Sequence, residues 1–314
     1  MSWGREEFAA RLRRVGAERY HDKHPFNMRM HEGRLSADEI RCWVRNRYYY
    51  QTRIPVKDAA ILAKAPDPGF RREWIQRIHD HDGRAPGEGG LELWLRLAEA
   101  VGLARAEVGS LRGVLPCVRR ACDAYVAFVE SNDLLASVAS SLTELFAGDI
   151  MRERIAAFEK HYPWVDREGL AYFRSRTRQA PRDAAFGLDF VLEAARTSED
   201  QERCVAALER KCEILWELLD AIEAAQRRPR ISAHAALRPD AEQPGKQLAV
   251  LPERAVRVNP AGGEILELCD GSRSAEGVAQ TLRERHAEET HVAEDVHEFL
   301  ANMARLGVIE TPPS

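Results

Sequence analysis

The chain has 314 residues, 45% hydrophobic and 31% charged. That is enough apolar content for a sizeable core and too much for a disordered chain, and the length suits two domains. A net charge of −4 leaves no basic footprint for nucleic acid. No apolar run reads as approaching the roughly 18 residues that a membrane span needs, and the opening MSWGREE lacks the apolar stretch of a signal peptide. Cys42, Cys117, Cys122, Cys204, Cys212 and Cys269 form no C-x-x-C pair and no zinc spacing. They read as reduced, buried cysteines in a cytoplasmic protein. Only six of the 46 basic residues are lysine, so an arginine means nothing by its type alone. Its position must carry the argument.

The first 225 residues read as helix after helix. Residues 6–20 are amphipathic, with Phe8, Leu12 and Val15 at helical spacing. Ser36 and Glu39 form a capping box that opens a long helix through Trp43, Tyr50 and Ile61, with Pro55 expected to kink it. Further helices are expected at 68–82, 88–101, 114–130, 132–159, 167–179, 181–196 and 198–226. This is an all-α bundle, not a βαβ fold.

The proline-containing stretch 227–245 then reads as a linker with a short extended segment. Residues 247–251 and 255–258 read as strands, 261–269 as a helix opened by Asn259-Pro260, and Asp270-Gly271 as a turn. Ser274 caps a helix ending near 286, and 292–306 is a third helix stopped by Gly307. Two strands and three helices in residues 246–314 suggest a small winged-helix-like α+β domain.

Several helix faces of the bundle pair groups that suit chemistry. Arg47, Tyr50 and Gln51 share one face at i, i+3, i+4; Arg77 with His81 and Tyr172 with Arg176 are i, i+4 pairs. Glu144, Met151 and Arg154 lie along one helix, and Lys211 interrupts an otherwise apolar face. Each pair alone is equally a solvated face; together they suit a pocket wall. Glu18/His21 and Glu294/His297 match the E-x-x-H pattern of di-iron bundles, but in different expected domains. Phosphate-loop, dinucleotide-binding and nucleophile-elbow patterns are absent.

The stretch FNMRMHEGRLSADEIRCWVRNRYYYQTRIPVKDAAILA, with WIQRIHDHDG, GGLELWLRLAEAVGL, SSLTELFAGDI, HYPWVDREGLAYFRSRTRQA and ERKCEILWELLDAI, resembles pyrroloquinoline-quinone synthase C. The resemblance covers about residues 5–226. LAVLPERAVRVNPAGGEILELCDGSRS resembles PqqD, the small peptide chaperone of the same pathway, so the chain resembles a C–D fusion.

The resemblance implies a heme-oxygenase-like bundle without heme, usually a homodimer. It implies the last step of cofactor biosynthesis: ring closure and eight-electron oxidation of the tricarboxylic precursor AHQQ to pyrroloquinoline quinone (PQQ). Dioxygen is the oxidant and co-substrate, hydrogen peroxide is released, and no metal or organic cofactor is needed. His81, Tyr172, Arg176, Lys211 and Glu144 would then be catalytic. Tyr20, His21, Arg47, Tyr50, Gln51, Arg77, Tyr125, Thr143, Met151 and Arg154 would bind substrate. Met151 stands where the family pattern has a histidine.

Five cations around one cavity, only partly offset by Glu144, would call for a ligand with several carboxylates. On this reading His81 titrates near neutrality, and Tyr172, among cations, has a lowered pKa. The C-terminal domain would bind the precursor peptide and bring in the pathway's radical-chemistry enzyme. The alternatives are a di-iron oxygenase on the same bundle, or a catalytically impaired quinone-binding protein because of Met151.

Overall fold

The computed structural model describes residues 2–289 and 291–311, in two compact units, Met1–Asp220 and Ala221–Ser314. The first is helical: α1 (Arg5–Arg19), α2 (Pro25–His31), α3 (Ala37–Lys64), α4 (Pro68–Asp82), α5 (Gly89–Ala100), α6 (Arg105–Gly109), α7 (Pro116–Ser131), α8 (Leu134–Ser140), α9 (Glu144–His161), α10 (Ala171–Ala194) and most of α11 (Ser198–Gln226). The expected capping box at Ser36/Glu39 is present and starts α3, whose 28 residues run through Pro55 as one helix. Pro55 has no N–H to donate, so the Gln51 carbonyl lacks its usual partner one turn away.

The helices differ from the expectation in three respects. The two helices expected at 167–179 and 181–196 are one, α10, which continues through Pro181 after a short 3-10 turn at Arg167–Leu170. The single helix expected at 132–159 is broken by a 3-10 turn at Ser141–Thr143. There the hydroxyls of Ser140 and Ser141 reach back to the Ser137 carbonyl and compete with the helical ladder. The short helices α2 and α6 were not expected. By length and composition the region Leu134–His161 could also span a bilayer, contrary to the hydropathy reading above, but 67% of its apolar window is buried inside the bundle.

Trp43, Trp94, Phe158 and Phe173 pack in tilted and edge-on contacts within this core. Each fully buried aromatic contributes roughly 1.5–3 kcal/mol. They fix the approach of α3, α5, α9 and α10, and so the walls of the cavity described below.

In the second unit, β2 (Ala236–Pro239), β3 (Gln247–Leu251) and β4 (Arg254–Val258) form an antiparallel sheet in that order, and β1 (Arg230–Ile231) pairs with β5 (Ile309–Glu310). Both β1 and β2 lie inside the stretch expected as a linker. Asp240 anchors the chain after β2, accepting from Glu242 N and from Arg257 of β4. The helices are α12 (Pro260–Glu267), α13 (Ala275–Arg285) and α14 (Val292–Arg305). Asn259 caps α12 and Ser274 caps α13, as their sequence positions suggested. Gly307 follows α14 with φ 77°. Val258, Leu266, Val278, Leu282, Val296 and Leu300 form the core.

Candidate active site

Within the first unit, one cavity collects side chains from most of the bundle. Tyr20 and His21 come from the end of α1, and Arg47, Tyr50, Gln51 and Ile54 from α3. His81 comes from α4, Thr143, Glu144, Ala147 and Met151 from the 3-10 turn and α9, Tyr172 and Arg176 from α10, and Leu215 from α11. Arg77, Tyr125, Arg154 and Lys211, also singled out from the sequence, stand just behind this lining. Arg77 reaches Glu144, Lys211 reaches Tyr50 and lies over the Tyr125 ring, and the Arg154 charge acts on Tyr20 and His21.

One wall is an ion network. Arg176 Nη2 donates to Glu144 Oε2 at 2.5 Å and Arg77 Nη2 to Glu144 Oε1 at 3.4 Å. Arg77 Nε and Trp74 Nε1 share Asp58 Oδ1 at 3.3 and 3.0 Å. Lys57 Nζ lies 2.7 Å from the same oxygen and donates to Ser141 Oγ at 2.8 Å. Asp183 Oδ2 stands 3.4 Å from Arg77 and 3.5 Å from Arg176. Burial alone would push the Glu144 carboxyl up, but Arg176 and then Arg77 outweigh it and hold it below the usual range. The same opposition, with Lys57 and Arg77, keeps Asp58 ionised.

His81 sits against this wall with Nδ1 3.0 Å from the Arg77 carbonyl. Only a protonated Nδ1 makes that bond, so the Nε2 lone pair is left free. Burial, and next the Arg176 charge, lower its pKa to about 4. The sequence reading had it titrating near neutrality; it is instead a neutral base. Tyr172 also departs from expectation. Its hydroxyl donates to Gln51 Oε1 at 2.8 Å, and burial raises its pKa more than Arg176 and Arg47 lower it. Desolvation of the phenolate is the larger effect because those cations are partly spent on Glu144 or held at a distance.

A second group of cations has no carboxylates: Arg47 in the lining, with Arg154 and Lys211 just behind it. Arg47, Arg154 and Lys211 are 6%, 1% and 1% exposed. Among the described residues none has an ion-pair partner, and Arg47 Nε and Nη1 and Arg154 Nε have no hydrogen-bond partner. Each leans on an aromatic face instead: Arg47 is 3.9 Å from the Tyr50 ring centre, Arg154 5.2 Å from Trp43, and Lys211 3.5 Å from Tyr125. Lys211 Nζ also donates to Tyr50 Oη at 2.9 Å.

Burial and then Arg47 lower the Arg154 pKa to about 10, and burial, Arg47 and Lys57 bring Lys211 well below the usual lysine range. Asn27 locks His21 beside them. Its Oδ1 accepts from Arg154 at 3.1 Å, so its Nδ2 must face His21 Nδ1, 2.9 Å away. That fixes the His21 proton on Nε2. Burial, followed by Arg47 and Arg154, holds the ring neutral.

Sequence reasoning missed Asp58 and Asp183, and with them Lys57 and Asn27. A signal existed: Asp58 is four residues after Ile54 and Asp183 seven after Arg176, on the same helix faces. The expectation of five cations only partly offset, with Glu144 as the one carboxylate among them, is therefore corrected. Arg77 and Arg176 are matched by Asp58, Asp183 and Glu144.

The E-x-x-H matches are not assembled. Glu18 faces Arg14, His21 faces Asn27, Glu294 faces His291 and His297 faces Glu276. Among the described residues no three or more His, Cys, Asp or Glu side chains are grouped to hold a metal ion.

A helical bundle of this kind is a known architecture. It resembles a heme-oxygenase-like domain from Shewanella denitrificans at TM-score 0.55 and 14% identity, over 69% of this chain and 89% of that one. It also resembles a TenA homologue from P. horikoshii at TM-score 0.56 and 12% identity, over 68% and 97%.

Residues 9–221 match the TENA/THI-4/PQQC family, and the chain belongs to it. Residues 247–309 match coenzyme PQQ synthesis protein D. A pyrroloquinoline-quinone synthase of Rhizobium meliloti is 55% identical over 70% of this chain and 86% of that protein. A bifunctional coenzyme PQQ synthesis protein C/D of Methylorubrum extorquens is 50% identical over 77% of this chain and 64% of that protein.

Proposed function

We propose that the bundle is a pyrroloquinoline-quinone synthase. It closes the last ring of AHQQ and removes eight electrons with dioxygen, releasing hydrogen peroxide and using no metal or organic cofactor. The observation that carries this reading is the wall of three buried cations without carboxylate partners, Arg47, Arg154 and Lys211. Such charges are costly to bury unless an anion joins them. A substrate with several carboxylates supplies that anion, and the arginines suit it because a guanidinium can grip a carboxylate through two bonds.

The rest of the cavity fits the proton transfers. His81, neutral with Nε2 free, accepts a proton from the substrate across the assay range. Tyr172, protonated and oriented by Gln51, acts as a hydrogen-bond donor. Glu144, held ionised by Arg176 and Arg77, balances charge beside the ring and does not supply a proton. Thr143, Tyr20 and His21 complete the surround. Lys211, buried and without a carboxylate partner, stabilises reduced oxygen electrostatically.

The test loads the protein with AHQQ without oxygen, in the presence of chelator, and then admits oxygen while the quinone spectrum is followed. Formation of PQQ and peroxide is expected. Turnover that stops with chelator and returns only with iron would favour a di-iron oxygenase. Binding without any oxidation would leave a quinone-binding protein, the reading that Met151 in the cavity lining favours.

The C-terminal unit is proposed to bind the pathway's precursor peptide. The support is β4, an edge strand with largely exposed side chains, to which an extended peptide can add by main-chain hydrogen bonds. Titrating the full chain with precursor peptide, read by NMR, should shift β4 amides. No shift at high peptide excess would remove the proposal. On the same reading the chain is a cytoplasmic homodimer, and the peptide's radical-chemistry enzyme meets it through this unit.

A further inference from the structure

The two walls differ in a way that bears on how a ligand is oriented, not only on whether it binds. Behind the His81 wall, Asp183 is almost completely buried, its side chain 3% exposed, and three guanidinium groups converge on it. Oδ1 accepts from Arg182 Nη2 at 2.6 Å and Nε at 3.1 Å, and Oδ2 faces Arg77 and Arg176. Arg182 turns its Nη2 also to Asp80. The network is therefore electrically closed, with Lys57, Arg77, Arg176 and Arg182 against Asp58, Asp80, Glu144 and Asp183. Arg47, Arg154 and Lys211 lie outside it.

We infer that Asp183 is a specificity-determining positioning residue: by occupying Arg77 and Arg176 it denies them to the ligand, so the carboxylates of a polyanion go to the Arg47–Arg154–Lys211 wall and its ring faces His81 and Tyr172. Asp58 does the same for Arg77 and Lys57 from the other side. Cations near a cavity attract any carboxylate within reach, and specificity then depends on removing the wrong sites as well as building the right one. Without Asp183, Arg176 Nη1 and Arg77 Nη1, the nitrogens that neither Glu144 nor Asp58 holds, compete for the same carboxylates. A planar tricarboxylate then has a second way to lie in the cavity, held more tightly overall but with the wrong edge towards His81. This rests on the reading of the cavity as a polycarboxylate site.

The distinguishing result is a split in which binding tightens while turnover falls. A carboxylate that merely supported the fold would lose both. The measurement is calorimetric titration of wild type, Asp183→Asn and Asp183→Glu with two probes, PQQ and benzene-1,3,5-tricarboxylate, with melting temperatures recorded for each protein. Asp183→Asn should bind the tricarboxylates about tenfold more tightly, the worth of one freed charge-assisted contact, while its single-turnover rate falls. Asp183→Glu should restore wild-type affinity.

Unchanged or weaker binding by a folded Asp183→Asn overturns the inference. If that variant does not fold, Asp58→Asn carries the same expectation and the same overturning result. Should benzene-1,3,5-tricarboxylate follow the pattern while PQQ binds to neither protein, the substrate reading fails and the positioning role stands. If no variant binds either probe, the inference itself falls.

Discussion

Arg176 and Arg154 are the same residue type, both nearly fully buried, on neighbouring helices of one cavity. Arg176 is held by Glu144 and faces Asp183, and these carboxylates, working against burial, raise its pKa. Arg154 has Asn27 and a tryptophan face, and its pKa is lowered to about 10. What a buried arginine can do for a ligand is decided by the carboxylates already around it. The matched wall pairs charge with charge and holds His81 through the Arg77 carbonyl. The unmatched wall is destabilising until an anion arrives. The molecule keeps stability and binding apart by placing its acids on one side.

Met151 tests where the two walls meet. It lies on α9 between Glu144 of the matched wall and Arg154 of the unmatched one. A thioether cannot shuttle a proton, whereas imidazole can. Met151→His should therefore speed the late proton-dependent steps by roughly 10²–10⁴-fold without tightening substrate binding. Single-turnover spectra of both proteins would show it; equal rates to the full quinone would deny position 151 any proton-transfer role.

Arg154→Met sharpens the comparison directly. It should weaken PQQ binding by roughly 2–5 kcal/mol and raise the melting temperature of the ligand-free protein, because a buried uncompensated charge is gone. Arg176→Met should do the reverse to stability, since it strands Glu144 and Asp183. The sequence reading placed Arg176 among the catalytic residues, in a cavity whose five cations call for a ligand with several carboxylates. Its engagement with Glu144 now makes loss of stability the first effect. Calorimetric titration and thermal melts of the two variants check both.

Acid should unfold the site through its histidines. His81 has a folded pKa of about 4, below the unfolded value near 6.5. The unfolded chain thus binds more protons between those values, and stability falls as pH drops through that window, by up to on the order of 3 kcal/mol. His21 adds a loss of the same sign. Melting temperature against pH should fall less steeply between pH 6.5 and 4 in His81→Gln than in wild type. Smallest of all, Tyr172→Phe removes the bond to Gln51 and should cost about 1 kcal/mol of stability. Urea titration measures that loss.

Much of this was legible in the sequence. Helical spacing and the Ser36/Glu39 box gave α3, and the pairs on α3, α4 and α10 do meet at one cavity, with Arg77 just behind its lining. The serine-rich break at Ser141–Thr143 was not read, because its cause is local hydroxyl-to-carbonyl competition and not periodicity. The strands β1 and β2 were hidden in a stretch without alternation, where partners distant in sequence decide the pairing. The charge balance was misjudged for a related reason. Asp58 and Asp183 look like ordinary solvated acids among 50 others, and only tertiary packing turns them inward. Likewise, counting cations suggested an acidic Tyr172, whereas the dominant effect, desolvation, depends on burial that no spacing reveals.

The central claim is that Arg47, Arg154 and Lys211 form a wall left uncompensated until a carboxylate ligand binds. Lys211, whose pKa burial and then Arg47 bring well below the usual lysine range, should have it raised again when a fully ionised tricarboxylate arrives. Titrating the protein with PQQ at pH 8 in buffers of different ionisation enthalpy measures the proton uptake directly, since His81 is neutral there with or without ligand. The account predicts net proton uptake on binding in wild type and its disappearance in Lys211→Met. Binding with no proton uptake in wild type would contradict it.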